Sequence, residues 1–244
     1  MARAGIGRNS MATDERLNSF ENGDALAEAL ATTVAGHLLA GCEANGKAVL
    51  AVSGGTTPAR FFKALSLKDL PWNTITITLV DERFVPPTSE RSNERLVREA
   101  LLQNAAAGAN FVGLYHEAVD AHQGAKMAAA EIARLGQPFD VVVLGMGGDG
   151  HTASFFPGGD NLKAAISKDE KALVLPMSAE NAGEPRLTLT LPVIIAARFI
   201  ALHIEGAGKM TTLEAALGEG EVEDMPIRAV LSSQPIDLEI FWAP

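Results

Sequence analysis

The chain has 244 residues, of which 47% are hydrophobic and 20% charged, and its formal net charge is −10. This composition is typical of a globular protein, and the acidic balance argues against a nucleic-acid binder, which needs a basic surface. The single cysteine, Cys42, excludes an internal disulfide and a cysteine-rich zinc site, and it favours a reducing compartment such as the cytoplasm.

The first 20 residues carry no pattern of their own and lack the apolar segment of a secretory signal. We expect residues 1–20 to be a disordered tail and residues 21–244 to form a single α/β domain. No later apolar run approaches the roughly 20 residues of a membrane span, so a membrane partner is not expected.

Apolar residues at helical spacing alternate along the chain with short, wholly apolar runs. Leu26, Leu30, Val34 and Leu38 share one helical face, and Asp24 is the expected N-cap. Strands that alternate with helices predict βαβ units on a mainly parallel sheet with helices on both faces. Further helices are expected from Pro58, near Ser92, over Ala121–Leu135 and in KMTTLEAAL, and strands in AVLAV, ITITLV, VVVLG, KALVLP, RLTLTLP, RFIALHIEG and LEIFWA.

The segment SGGTTP follows the first apolar run, where ligands bind in such sheets. Gly54 and Gly55 permit a tight turn before a helix that starts at Pro58, and a helix N-terminus binds phosphate well. Ser53 and Thr56 belong to the same turn. Two alternatives are an ordinary glycine-rich turn and a nucleophile elbow built on Ser53. The elbow is disfavoured because an elbow passes directly from strand to helix.

Charged side chains in VDERFVPP follow the next strand. The planar guanidinium of Arg83 is suited to hydrogen bonding with a phosphate, a carboxylate or a developing oxyanion. Asp81 is suited to orienting a hydroxyl or capping the next element. The alternative is that Asp81 and Arg83 are ordinary loop residues exposed to solvent, with no role in binding.

The segment GMGGDGH fits the G-x-G-x-x-G spacing over residues 145–150, which is typical of dinucleotide loops. Such a loop needs an acidic residue about 20 positions later, and none stands there. The alternative is that the glycines present His151, beside Asp149, as an acid or base. A metal site is disfavoured because no second histidine or spaced carboxylate pair accompanies His151.

Lys209 opens the helix that follows HIEGAG. Met210 comes next, so this is not a Walker A loop. A lysine at the start of a helix is slightly unfavourable, because its positive charge lies at the positive end of the helix dipole. Its position there is explained if an anion binds at this site. The four segments together predict an enzyme or sensor for a small phosphorylated ligand.

The motifs SGGTTP, VDERFVP with SN after it, GMGGDGHTASFFPG, RLTLTLP and GAGK resemble the 6-phosphogluconolactonase family, in order over residues 52–209. Phe155 departs from the pattern, where leucine is expected. The resemblance implies a three-layer Rossmann-like α/β fold, no metal or organic cofactor, and hydrolysis of 6-phospho-D-glucono-1,5-lactone to 6-phosphogluconate in the pentose phosphate pathway. A cytoplasmic monomer or small homo-oligomer is expected.

The same resemblance implies His151 as the general base, with Arg83, Arg186 and Lys209 as substrate contacts. Asp149, which stands beside His151, and Arg83 are also expected to be catalytic. Backbone amides of residues 147–150 and Arg83 are the alternatives for the oxyanion site, and the role of Arg228 stays open. The residues expected to contact substrate are Ser53, Gly54, Gly55, Thr56, Asp81, Asn93, Gly147, Gly148, Arg186 and Lys209.

A strained sugar lactone is a reactive ester, so a base that activates water and oxyanion donors suffice without a covalent nucleophile. Three alternatives remain: a serine esterase, a sugar-phosphate sensor, and an amino-sugar-phosphate deaminase or isomerase. The last pairs its histidine with a glutamate five residues later, where this chain has Phe156. The sensor usually carries a basic DNA-binding segment, and this chain has none.

Overall fold

A computed structural model describes residues 14–180, 182–233 and 237–244 of the chain. The strands are β1 Leu17–Ser19, β2 Ala48–Val52, β3 Ile75–Leu79, β4 Asp81–Arg83, β5 Asn110–Val112, β6 Val141–Leu144, β7 Val174–Met177, β8 Arg186–Leu189, β9 Phe199–Glu205 and β10 Leu238–Ala243. The α-helices are α1 Gly23–Asn45, α2 Ala59–Ser66, α3 Asn93–Ala100, α4 Ala121–Leu135, α5 Leu162–Ala165, α6 Leu191–Ile195, α7 Ala207–Leu217 and α8 Ile227–Leu231. Two 3₁₀ helices span Trp72–Thr74 and Asn104–Gly108.

The main sheet has seven strands in the order β1-β10-β9-β6-β2-β3-β5, and all its pairs are parallel. Every residue of β2 and of β6 is buried. Successive side chains of a strand point to opposite faces, so both faces of these central strands are covered. The mostly parallel sheet with helices that the sequence predicted is confirmed.

A second sheet, which the sequence did not predict, contains β4, β8 and β7 in antiparallel order. Its strands β7 and β8 were expected in the mainly parallel sheet. The Leu189 N–H donates to the Val80 carbonyl at 2.9 Å, which attaches the small sheet to the end of β3. The small sheet therefore stands beside the carboxyl ends of the main strands.

Strand β1 corrects the expected tail of residues 1–20. Leu17 pairs with Ile240 in parallel register, and the Phe20 ring stacks on Phe241 at 5.9 Å between centroids. The pattern was missed because three strand residues carry almost no signal without their partner. Residues 1–13 lie outside the described part of the chain.

Helix α1 has the predicted buried face and a different N-cap. Leu26, Leu30, Val34 and Leu38 are fully buried. The cap is Asn22, not Asp24, because the Asn22 side chain accepts hydrogen bonds from the first-turn backbone.

The length and composition of α1 would allow it to cross a membrane, with a mean hydropathy of 1.3. The sequence prediction overlooked this. In the fold, the buried face of α1 packs against β2 and β10.

Helix α2 begins at Ala59, and Pro58 is its N-cap without a side-chain hydrogen bond. The predicted start was one residue too early. Helix α3 begins as predicted, because the Ser92 side chain accepts from the Arg95 N–H at 3.2 Å. The predicted bounds of α4 are confirmed.

The carboxylate of Glu82 joins β4 to the start of α3. It is fully buried and accepts four hydrogen bonds, from the backbone N–H groups of Arg83, Asn93 and Glu94 at 2.7–2.8 Å and from the Ser92 hydroxyl at 3.0 Å. Burial raises the pKa of Glu82, and these hydrogen bonds oppose that rise. The carboxylate therefore holds a strand and a helix in one arrangement.

Replacing Glu82 by glutamine should lower the free energy of unfolding by about 1–3 kcal/mol, because one amide NH₂ would face backbone donors and leave them unpaired. Urea denaturation measures the change. Glu99→Gln on α3 is the control, since Glu99 is exposed and bonds only to Arg95. Equal stability of Glu82→Gln and the wild type would mean that the carboxyl is protonated in the native protein.

Candidate active site

A cleft of about 370 Å³ opens beyond the carboxyl ends of β2, β6 and β9. It brings together most of the residues predicted from sequence. Asp149 and Gly148 are exposed and do not line it. Lining residues that the sequence did not single out include Thr152, His203 and Glu205. The predicted residues that line the cleft are Ser53, Gly54, Gly55, Thr56, Asp81, Arg83, Asn93, Gly147, His151, Arg186 and Lys209.

The glycine loop (residues 145–150) places the ring of His151 in the cleft. The Nδ1 atom of His151 lies 2.6 Å from Asp149 Oδ1, which also accepts from the His151 backbone N–H at 3.1 Å. A Cβ atom on Gly147 would overlap the His151 ring. This glycine is therefore required by the close approach of the histidine.

Asp149 is held in its ionised form by His151. Partial burial acts to raise the pKa of Asp149, but the backbone hydrogen bond, the charge and the ring hydrogen bond of His151 outweigh it and lower the pKa. With Nδ1–H donated to Asp149, Nε2 is the ring nitrogen that accepts a proton when the imidazole is neutral.

Two guanidinium groups converge on the cleft. Arg83 donates from Nη1 to the Arg91 carbonyl, and Arg186, which is 8% exposed, donates from Nη2 to the Ala182 carbonyl at 2.7 Å. The Nε atom of each is buried without a hydrogen-bond partner in the described structure. Burial lowers the pKa of Arg186, the Asp81 carboxylate opposes this, and the charge of Arg83 adds to it. Such a pair of like charges favours a bound anion.

Asp81 and Asn93 support the loop that follows β2. Asp81 Oδ2 accepts from the Ser154 hydroxyl at 2.6 Å, and the Asn93 amide donates to the Asp81 carbonyl at 2.9 Å. A Cβ on Gly54 would overlap the Asn93 side chain. Gly54 is thus needed for a close packing contact.

Ser53 links this loop to the glycine loop. Its hydroxyl accepts from the Gly145 N–H at 3.1 Å, and in the described part of the chain no histidine bonds to it. That arrangement is a structural bridge and not the activated serine of an esterase.

Lys209 lies in the first turn of α7. Its Nζ donates to the Met146 carbonyl at 2.7 Å, so it holds the glycine loop as well as lining the cleft. The N-cap of α7 is Gly206, with φ of 98° and no side-chain cap, so backbone N–H groups of the first turn remain for a ligand.

Arg228 lies away from the cleft and has a structural role. Its guanidinium donates at 2.9–3.2 Å to backbone carbonyls at and beyond the end of α7, those of Ala215, Ala216, Glu219 and Glu221. It therefore caps the helix that carries Lys209.

Phe156 occupies the position that decides between the related chemistries. Its ring packs 4.8 Å from the His151 ring, and the Arg186 guanidinium lies 5.5 Å from its centroid. An apolar ring cannot take or give a proton, so no carboxylate assists His151 from this side.

His203, in β9, also lines the cleft. It is 3% exposed, and its Nε2 lies 3.1 Å from Glu205 Oε1. Burial lowers the pKa of His203, and Glu205 opposes this. Glu205 also forms an ion pair with Arg60 of α2 at 2.9 Å, so the His203–Glu205 pair is connected to that helix. No group of three or more His, Cys, Asp or Glu side chains suited to a metal occurs among residues 14–180, 182–233 and 237–244.

A family model described as glucosamine-6-phosphate isomerases/6-phosphogluconolactonase matches residues 21–242. The chain belongs to this family. It is 52% identical to a 6-phosphogluconolactonase of Rhizobium meliloti (strain 1021), over 93% of this chain and 98% of that protein. It is 53% identical to one from Mesorhizobium japonicum, over 93% and 94%.

Solved structures of the family have the same fold. A crystal structure of a 6-phosphogluconolactonase from Shewanella baltica OS155 superposes with a TM-score of 0.91 at 43% identity, over 93% of this chain and 97% of that chain. A monomeric glucosamine-6-phosphate deaminase has a TM-score of 0.76 at 18% identity, over 93% and 97%, which shows a shared fold alone.

Gly147→Ala should raise the pKa of Asp149, because the added Cβ displaces the ring whose contacts lower it. Carboxyl ¹³C NMR titration of the folded protein measures this. Gly148→Ala is the matched control, since a Cβ there meets nothing within 4 Å. An unchanged Asp149 titration in Gly147→Ala would show that the loop adjusts without moving the histidine.

Proposed function

We propose that the protein hydrolyses 6-phospho-D-glucono-1,5-lactone to 6-phosphogluconate, with His151 as the general base. The observation that carries this proposal is the His151–Asp149 pair at 2.6 Å in a cleft that also holds Arg83, Arg186 and Lys209. The relatives named 6-phosphogluconolactonase, at 52% and 53% identity, support the same reaction.

In the proposed reaction, His151 Nε2 takes a proton from water as the water oxygen attacks the lactone carbonyl carbon. Asp149 stabilises the imidazolium that forms. The tetrahedral intermediate then collapses, the ring C–O bond breaks, and the imidazolium returns the proton to the departing ring oxygen. The products are a carboxylic acid and a hydroxyl, and no covalent intermediate with the protein is needed.

Arg83 is the proposed donor to the oxyanion. The backbone alternative is weakened because the N–H groups of Gly147, Gly150 and His151 are already donated within the loop. Gly148 and Asp149 do not line the cleft. A guanidinium in a partly dry cleft stabilises developing negative charge more strongly than it would in water.

The substrate phosphate is proposed to lie between the loop after β2 and Lys209. Residues Ser53, Gly54, Gly55 and Thr56 line the cleft just before the uncapped start of α2. Arg186 supplies a second charge. Asp81 and Asn93 would then lie beside the sugar hydroxyls, and Gly147 beneath the lactone ring.

A deaminase or isomerase is disfavoured by Phe156, which puts a ring where those relatives need a carboxylate. The proposal requires no metal, organic cofactor, nucleic acid or membrane. It places the enzyme in the cytoplasm, as a monomer or a small homo-oligomer.

His151→Asn should lower the rate constant for hydrolysis by roughly 10²–10⁴, because asparagine cannot accept the proton of water at neutral pH. Stopped-flow acid release, corrected for spontaneous lactone opening, measures the loss. Binding of 6-phosphogluconate should persist. A folded, saturable variant that keeps more than about a tenth of the wild-type rate would remove His151 from the mechanism.

Lys209→Ala should weaken substrate binding by roughly 10- to 100-fold, because a hydrogen bond to a charged group contributes about 1.5–3 kcal/mol. The KM for the phosphorylated lactone measures the effect. The unphosphorylated lactone is the control, since it lacks the phosphate group that Lys209 is proposed to bind. Equal damage to both substrates would assign Lys209 to the glycine loop through its bond to Met146.

A further inference from the structure

Several carbonyl groups of the glycine loop are held by donors that lie outside the loop itself. This fixes the orientation of several successive peptide planes. The pairs are Gly145 O with Thr152 Oγ1 at 2.8 Å, Met146 O with Lys209 Nζ at 2.7 Å, Gly148 O with Thr212 Oγ1 at 3.2 Å, and Gly150 O with the Ile227 N–H at 2.8 Å.

Among the side-chain donors to the loop, Thr212 is the one that has no place in the site described above. It is 9% exposed, lies on the buried face of α7 and does not line the cleft. Its single hydroxyl proton is shared between two backbone carbonyls, that of Gly208 one turn back on the same helix at 3.0 Å and that of Gly148 at 3.2 Å. The helix that carries Lys209 is thus joined to the loop a second time.

The bond to Gly148 determines where the next N–H points. In a planar trans peptide the C=O of one residue and the N–H of the next point in opposite directions. Because Thr212 holds the Gly148 carbonyl toward α7, the Asp149 N–H points away from α7, and the backbone that carries the Asp149 side chain is fixed. The Asp149 carboxylate receives both hydrogen bonds from His151.

We propose that Thr212 is a positioning residue for the reaction, acting through the peptide between Gly148 and Asp149 to fix the His151–Asp149 pair. Without the hydroxyl, this peptide can rotate, because Gly148 is exposed and a glycine restrains its backbone least. The Asp149 carboxylate then loses its fixed position beside His151, and the imidazole loses its orientation. The effect on turnover rests on the proposed function, whereas the effect on Asp149 does not.

Three variants test the proposal. Thr212→Val keeps the shape and removes the hydroxyl, and Thr212→Ser restores it. Thr211→Val is the matched control, because Thr211 is exposed on the same helix and bonds only within it, to the Ala207 carbonyl. Steady-state kinetics with the phosphorylated lactone and carboxyl ¹³C NMR titration of Asp149 are the two readouts.

Thr212→Val should lower kcat about tenfold or more, since displacements on the order of 1 Å cost up to about 10²-fold. KM should stay within about twofold, because the phosphate groups are untouched. The pKa of Asp149 should rise as its backbone and His151 contacts loosen. Thr212→Ser and Thr211→Val should stay close to the wild type in both readouts.

An unchanged kcat and an unchanged Asp149 titration in Thr212→Val would overturn the proposal. Equal losses in Thr212→Val and Thr212→Ser would also overturn it, because they would point to packing of the methyl group. If the wild type does not hydrolyse the lactone, the proposed function fails, and the Asp149 titration still decides the role of Thr212.

Discussion

The buried carboxylate of Glu82 is the constraint on which the cleft depends. It faces away from the ligand space, yet its neighbours Asp81 and Arg83 lie on either side of it in β4, and it fixes the backbone of Asn93 at the start of α3. Three cleft residues therefore take their positions from one side chain. A carboxylate without charge partners is stable in such a site only because four donors surround it.

Glycine serves two different purposes in this cleft. At Gly54 and Gly147 the missing Cβ allows another side chain, Asn93 or His151, to pack against the backbone. At Gly150 the purpose is conformational, because its φ of 79° lies in the left-handed region that favours glycine. In the spacing that resembles a dinucleotide loop, the middle glycine, Gly147, is therefore the one explained by the contacts of the histidine. The net charge of the protein is −10, yet three cationic side chains, Arg83, Arg186 and Lys209, lie together at a single cleft. Anion binding depends on a few cationic side chains that lie close together, and the net charge of the whole protein matters less.

The sequence predicted what depends on local pattern. The bounds of β2 and α4 follow from an apolar run and from helical periodicity, and the glycine, arginine and lysine segments were correctly expected to meet beyond the strand ends. Features decided by a distant partner were missed. Asp-Glu-Arg at residues 81–83 forms a strand only because β8 pairs with it. Thr212 and Arg228 gave no signal, since their acceptors are backbone carbonyls in other segments.

Strand β1 lies at the edge of the main sheet beside β10, although more than 200 residues separate them along the chain. During synthesis, β1 leaves the ribosome long before β10, the strand with which it pairs. Until β10 is in place, the hydrogen-bonding groups along one side of β9 stay open to pairing with other chains. Nascent chains that stall before residue 238 would therefore expose a long apolar sheet edge. Such chains would be aggregation-prone intermediates and substrates for chaperones and proteases.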